Sequence, residues 1–191
     1  MLEHTDRPLK HLSMGHTTRA LEYFVHAVGS GQMLLDAPYQ RGAAWLGDQC
    51  GNLIKSFLMG LPIPAVVLNK RLTDAWERAN GFSPYNYAVI DGKQRILTVC
   101  AWFNDDLAVP STWFPADWLA DHITAGRRKL VTFRDLSSKG RRGFENFQLA
   151  CVEAQVTTVR AEAEIYLLVN GAGTAQTDDD MVNAQRVAEG K

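Results

Sequence analysis

Residues Tyr87 to Thr98 read YAVIDGKQRILT. Four residues suited to a β-strand, Tyr87 to Ile90, run into Asp91-Gly92, a pair that turns sharply. From Lys93 to Phe103 the pattern then becomes helical. Beyond its first turn this helix carries Ile96, Leu97, Val99, Cys100, Ala101, Trp102 and Phe103, an apolar surface that has to be buried in a core. Lys93 and Arg95 sit in the first turn, where cations oppose the positive end of the helix dipole at a cost of about 0.3 to 1 kcal/mol each. An anion held between them reverses that sign. The free N–H groups of a first turn already form an anion site, and a glycine permits close approach, so the segment suits a phosphate. The other reading of the same residues is structural, with Arg95 paired to Asp91 or another carboxylate.

Outward from this turn the chain alternates short strands and helices. Leu21, Phe24, Val25 and Val28 predict a helix from Thr17, stopped at Gly29 to Gly31. Met33 to Leu35 predict a strand. Asp48 can cap a second helix, with Leu53, Ile54, Phe57 and Leu58 on one face and Gly60 as its stop. Leu61-Pro62-Ile63-Pro64 has to be extended, because each proline lacks a donor and biases its predecessor away from helix. Ala65 to Leu68 is the next expected strand, and the polar residues 69–86 read as a connection. Residues 104–122 read as an ordered loop or short helices, with Trp113, Phe114 and Trp118 covering the core. Further strands are expected at Leu130 to Phe133 and Leu149 to Val156, and a helix from Arg160 to Val169. Thr177 and Asp180 make a capping box for a last helix to about Ala188. The expectation is an α+β domain with a small mixed sheet of short strands among helices, formed by residues 17–191 after an arm, 1–16.

The chain has 191 residues, 46% hydrophobic and 21% charged, the size of one compact domain. Its formal net charge of −1 exerts no long-range pull on nucleic acid, so a polyanion has to be held by a local cluster. DNA binding is therefore unsupported by charge, and Arg127-Arg128-Lys129 and Arg141-Arg142 read as solvated loops. The three cysteines, Cys50, Cys100 and Cys151, have no metal-ligand spacing and read as buried small hydrophobes. Residues 1–10 hold no apolar segment, and no run reaches the roughly 18 apolar residues that span a bilayer. The expected setting is cytoplasmic, without a membrane. Asp178-Asp179-Asp180 reads as a dipole-favoured helix start rather than a metal site. Gly171-Ala172-Gly173 reads as a C-cap turn, not a dinucleotide fingerprint.

Tyr39-Gln40-Arg41 forms a second cluster, on a loop after Pro38, where binding groups concentrate. If the two loops face one pocket, Arg41, Lys93 and Arg95 bring three cations to it, with the amides of Gln40 and Gln94.

Taken in order, Tyr39-Gln40-Arg41, Trp45 with Gln49, Gly60-Leu61-Pro62-Ile63-Pro64, Asp91-Gly92-Lys93-Gln94-Arg95 and the late stretch Ile165 to Thr174 around Asn170 resemble the ParB-like N-terminal domain of the GmrSD modification-dependent restriction systems and related phage-defence proteins. The family signature is Asp-Gly-Gln-Gln-Arg, and this sequence departs from it at Lys93. The resemblance covers roughly residues 17–188 and implies a ParB/sulfiredoxin-like fold, here as a stand-alone domain that binds a nucleoside triphosphate (ATP, GTP or CTP) with Mg²⁺. Carried over, it assigns phosphate binding to Gln40, Arg41, Gly92, Lys93, Gln94, Arg95 and Thr98, and catalysis to Asp91, Gln94 and Arg95, with Asp91 orienting water or Mg²⁺. Tyr39, Trp45, Gln49, Pro62, Pro64 and Asn170 are its structural motif residues. The larger relatives add an HNH nuclease domain, which needs a His-Asn-His set. No histidine follows His122 here, so a nuclease or other protein is expected as a partner. The activity implied is nucleotide hydrolysis (NTPase) in bacterial or phage DNA restriction, defence or counter-defence. Two alternatives stand beside it: a kinase acting on a small-molecule or modified-DNA hydroxyl, and a regulatory or decoy module without turnover, for which Lys93 is the sequence hint.

Overall fold

A computed structural model describes residues 11–40, 45–126, 129–171, 186, 187 and 189. In chain order the elements are β1 (Gly15–Ala20), α1 (Leu21–Gly29), β2 (Met33–Leu34), α2 (Gly47–Met59), β3 (Val66–Lys70), α3 (Asp74–Asn80), β4 (Tyr87–Asp91), α4 (Lys93–Phe103), β5 (Val109–Pro110), α5 (Asp121–Gly126), β6 (Leu130–Val131), α6 (Ser138–Glu145), β7 (Gln148–Ala154) and α7 (Val159–Gly171), with single 3-10 turns at 111–113, 116–118 and 133–135. Five strands form one mixed sheet in the order β1-β7-β3-β4-β2, and β5 and β6 pair separately. The architecture is α+β, as expected.

Strand alternation sends side chains to two faces, and each face has its own core. Val66, Leu68 and Val89 join the larger cluster with Phe24 of α1, Ile54 of α2, Ile96 and Trp102 of α4, and Phe144 of α6. Val67 and Ile90 point the other way, into a smaller cluster with Tyr39 and the α7 residues Ala163, Ile165 and Tyr166. Helix α4 is the centre of the larger layer: Trp102 is fully buried and its ring stacks on Phe114 at 6.0 Å and meets Phe144 at 5.2 Å. Phe114 is buried, while Trp113 and Trp118 are partly buried against this cluster. All three cysteines are free thiols, and burial pushes Cys100 and Cys151 up to about 11.

Three local expectations are corrected. Thr17 to Ala20 belong to a strand, not to the first helix, because β1 pairs antiparallel with β7 over six residues. The outer position of β1 leaves Gly15 to Thr18 exposed, so no inward–outward alternation marks it in the sequence. Residues 69–86 contain α3, capped by Thr73, whose hydroxyl accepts from Trp76 N at 3.1 Å. Helix α6 was not expected at all, since SKGRRGFE places two glycines in a helix interior, where each costs about 1 kcal/mol against alanine. Packing explains them. A Cβ on Gly140 would stand 2.4 Å from Trp118 O, and one on Gly143 2.5 Å from the Trp118 ring. The capping box of Thr177 and Asp180, the last helix around it, and Asp178-Asp179-Asp180 lie outside the described residues.

A charged cluster crosses four neighbouring strands. Glu153 of β7 pairs with Arg19 of β1 and, at 2.8 Å, with Lys70 of β3, while Arg19 donates to the Tyr87 hydroxyl of β4 at 2.9 Å. Burial pushes the Glu153 carboxyl up, but the hydrogen bonds from Lys70 and Arg19 outweigh it and hold the group below its ordinary value. A carboxylate held low stabilises the fold above its unfolded value, and that contribution disappears as pH falls through the folded one. Urea midpoints between pH 7 and pH 3 should therefore drop less on acidification in Glu153→Gln than in the wild type. Parallel curves would remove Glu153 from the acid response.

Candidate functional site

Strand β4 is irregular just before its turn. Val67 of β3 faces Asp91 and Leu68 faces Val89, so Ile90 is one residue too many, a bulge that re-aims the strand end. Beyond the reach of β2, which pairs only with Tyr87 and Ala88, the carbonyls of Val89 and Ile90 accept from Gln40 Nε2 at 2.9 and 2.7 Å. This bond carries the loop after Pro38 onto the end of β4. Gly92 then turns the chain with φ 91°, and a Cβ there would meet Val66 Cγ1 at 2.6 Å. Only glycine satisfies both conditions. Helix α4 begins on Gly92 with no side-chain cap and no acidic residue in its first turn, leaving the N–H groups of Lys93, Gln94 and Arg95 without intrahelical acceptors.

These groups line one cavity of about 170 Å³, walled by Gln40, Trp45, Asp91, Gly92, Lys93, Gln94, Arg95 and Tyr166. The two loops singled out in the sequence thus do face one pocket. Arg95 makes the ion pair that the sequence left open: its Nη2 lies 2.5 Å from Asp91 Oδ2 and 3.4 Å from Ala65 O. Lys93 pairs with Asp36, whose side chain is 84% exposed. Such a surface pair contributes roughly 0 to 1 kcal/mol, so Lys93 is cheaply released to another anion. Two polar atoms of this wall, Arg95 Nε and Gln40 Oε1, are buried without a partner among the described residues. Each such atom costs on the order of 1 to 3 kcal/mol until something bonds it.

Gln94 Oε1 accepts from Trp45 N at 3.2 Å, which holds the loop before α2 against the turn. Thr98 is not brought to the cavity: it is buried, and its hydroxyl donates to Cys50 Sγ at 3.3 Å in the seam between α2 and α4. Arg41 lies outside the described residues. Asn170 donates to Tyr166 O, one turn back on α7, at 2.9 Å. Tyr39 is buried beneath the site, its ring 5.8 Å from that of Tyr166. His122 is exposed on α5, and Gly171 ends α7.

A second cavity, of about 320 Å³, adjoins the first. Trp45 and Arg95 line both. One wall is a single face of α2, with Gln49, Asn52, Leu53 and Ser56, and the opposite wall is Pro62-Ile63-Pro64. Asp48 does not cap α2; instead Gln49 Oε1 reaches back to Leu46 N at 3.0 Å, and Gly60 closes the helix in the left-handed conformation.

Sequence reasoning missed Tyr166 as a wall and a buried network below it. Glu162, fully buried, accepts from Arg71 Nε at 2.9 Å, from Asn69 Nδ2 at 2.7 Å and from the Tyr39 hydroxyl at 3.2 Å. Burial and the Glu162 carboxylate both push Tyr39 above its ordinary value. The one available signal was spacing: Glu162 shares a helical face with Ile165 and Tyr166, so a charge there had to be internally paired.

Among the described residues no helix is long and apolar enough to cross a membrane. No curated protein and no solved structure matches the chain. A family profile does match, that of the GmrSD restriction endonuclease N-terminal domain, over residues 25–186. Nearly every structural element lies in this span, from the second half of α1 through the Asp91–Arg95 turn to α7, and the chain therefore belongs to the GmrSD N-terminal domain family, the family of a restriction and phage-defence enzyme.

Proposed function

We propose that this domain binds a nucleoside triphosphate with its phosphates on the Asp91–Arg95 turn, and hydrolyses it to control a partner in DNA restriction or phage defence. The observation that carries this reading is the convergence on one cavity of an uncapped helix N-terminus, Lys93, Arg95 and the Gln40 loop. Backbone N–H groups and a helix dipole favour a phosphate there, and both cations sit where they neutralise charge that builds on the phosphates during transfer. Their carboxylate partners supply the resting compensation: Asp36 and Asp91 occupy the role that the phosphate oxygens take over. Resemblance to ParB-like domains, which bind nucleotides at the same strand-to-helix junction, supports the same placement.

Asp91 fits a Mg²⁺ role in kind, because Mg²⁺ needs only one or two protein carboxylates when phosphate oxygens and waters complete its shell. Bound Mg²⁺ would neutralise phosphate charge. Gln40 Oε1, an acceptor without a donor among the described residues, suits a water or hydroxyl at the cavity. Hydrolysis then transfers the terminal phosphoryl to water: the bond from phosphorus to the bridging oxygen breaks, and a nucleoside diphosphate and orthophosphate leave.

Thermal-shift titration of ATP, GTP, CTP and UTP with Mg²⁺ tests binding, since a ligand of the native state raises its stability by mass action. Orthophosphate release tests turnover. The expected result is a shift with at least one nucleotide, release by the wild type, and release lowered at least tenfold in Asp91→Asn with the shift retained. No shift at saturating nucleotide would overturn the proposal, and a shift without release would reduce it to a binding module.

A further inference from the structure

The second cavity has a chemistry different from the first. Among the described residues, Arg95 at the shared boundary is the one charged side chain of its lining. The rest of the lining pairs neutral polar groups with flat apolar ones: the amides of Gln49 and Asn52 and the hydroxyl of Ser56 on one side, Pro62-Ile63-Pro64 on the other, and the Trp45 indole at the entrance from the phosphate turn. Helical spacing puts residues 49, 52 and 56 in one row along α2. Gln49 spends Oε1 on Leu46 N, and Ser56 donates to Asn52 O at 2.8 Å. Gln49 and Asn52 are both exposed on this face of α2, which leaves the Asn52 amide and Gln49 Nε2 accessible from the cavity. The prolines opposite have no N–H, so that wall presents surface rather than donors.

A further phosphate would find too few donors here, and a cation no carboxylate. A planar heterocycle with an edge of donors and acceptors matches both walls: apolar surface for its face, and amides, which both donate and accept, for its edge. The volume, at the lower end of the roughly 300 to 1,000 Å³ of small-molecule sites, suits one ring system and not a whole nucleotide. Arg95 and Trp45 line both cavities, so one ligand can occupy the two with its phosphates on the turn. We infer that this cavity is the base subsite of the proposed nucleotide site: the nucleobase lies between Trp45 and the Pro62–Pro64 segment, and Asn52 and Gln49 read its edge. This inference rests on the nucleotide reading above.

Isothermal titration of the wild type, Asn52→Ala, Ser56→Trp and Arg95→Ala with the four nucleoside triphosphates and with inorganic tripolyphosphate separates the two claims. Ser56 sits on the helix surface, and circular dichroism checks that each variant is folded. We expect the wild type to prefer one base, and Asn52→Ala to bind that nucleotide about three- to tenfold more weakly, the range for one lost neutral hydrogen bond. Ser56→Trp, which fills the cavity, should weaken every nucleotide. Tripolyphosphate affinity should stay within twofold in both variants and fall only in Arg95→Ala. Equal affinity for all four nucleotides and tripolyphosphate would overturn the base subsite and leave the phosphate site standing. A base preference untouched by Asn52→Ala and Ser56→Trp would place the base elsewhere. Absence of binding by any of the five ligands would overturn both claims together.

Discussion

Replacing Arg95 with alanine should lower nucleoside-triphosphate affinity about a hundredfold, since charge-assisted hydrogen bonds contribute roughly 1.5 to 3 kcal/mol each and the guanidinium lines both cavities. The loss goes beyond the missing bonds. In the wild type Asp91 is paired with Arg95; without that partner its carboxylate faces the phosphates as an uncompensated negative charge. The fold should survive, because the Asp91 side chain keeps 24% of its exposure and remains hydrated. Arg95→Lys should recover only part of the affinity, because an ammonium restores the charge but not the planar fork of donors. Calorimetric titration with circular dichroism on the same samples decides the matter. Unchanged affinity in a folded Arg95→Ala protein would remove the turn from nucleotide binding.

The largest effect on stability should come from Arg71→Met. Glu162 has no exposed surface and Arg71 is 8% exposed, and removing one partner of a buried ion pair leaves an uncompensated charge at a cost of about 3 to 5 kcal/mol. For a domain of this size that corresponds to a melting temperature lower by about 10 °C. Asn69 and Tyr39 still donate to Glu162, which keeps the cost toward the lower end. Adding Glu162→Gln to Arg71→Met should return much of the loss, because a neutral amide retains hydrogen bonds without a buried charge. Equal instability of the single and double variants would show that shape, rather than charge, is what the network supplies. Tyr39 and Tyr166 stand between this network and the first cavity, so the Arg71→Met protein should also bind nucleotide less tightly.

Much of the molecule is a local consequence of its residues. The strand, Asp-Gly turn and apolar helix of Tyr87–Phe103 form as spaced, since the left-handed glycine, the β-branched run and the 3.6-residue apolar pattern each act within a few residues. Helix α2, its glycine stop and the extended Pro62–Pro64 segment follow from equally short-range causes. The sequence also marked Gln40, Lys93, Gln94 and Arg95 as candidates, but Gln40 meets the turn only through its bonds to Val89 O and Ile90 O, about fifty residues on. Elsewhere partners distant in sequence decided the outcome. The β1 strand exists because β7, some 130 residues on, pairs with it; helix α6 tolerates two glycines because Trp118 fills their space; and Glu162 is buried because Arg71 and Asn69 arrive from β3 and its exit loop. The displacement of Thr98 to the α2–α4 seam and the joining of the two cavities at Trp45 are decisions of the same kind, whereas the Asp91–Arg95 pair spans only four residues. Propensity and spacing act over one or two turns of chain and determined the elements and the chemistry of the turn. Which charges meet, and which side chains share a wall, depends on packing between elements, and only the tertiary structure decided those.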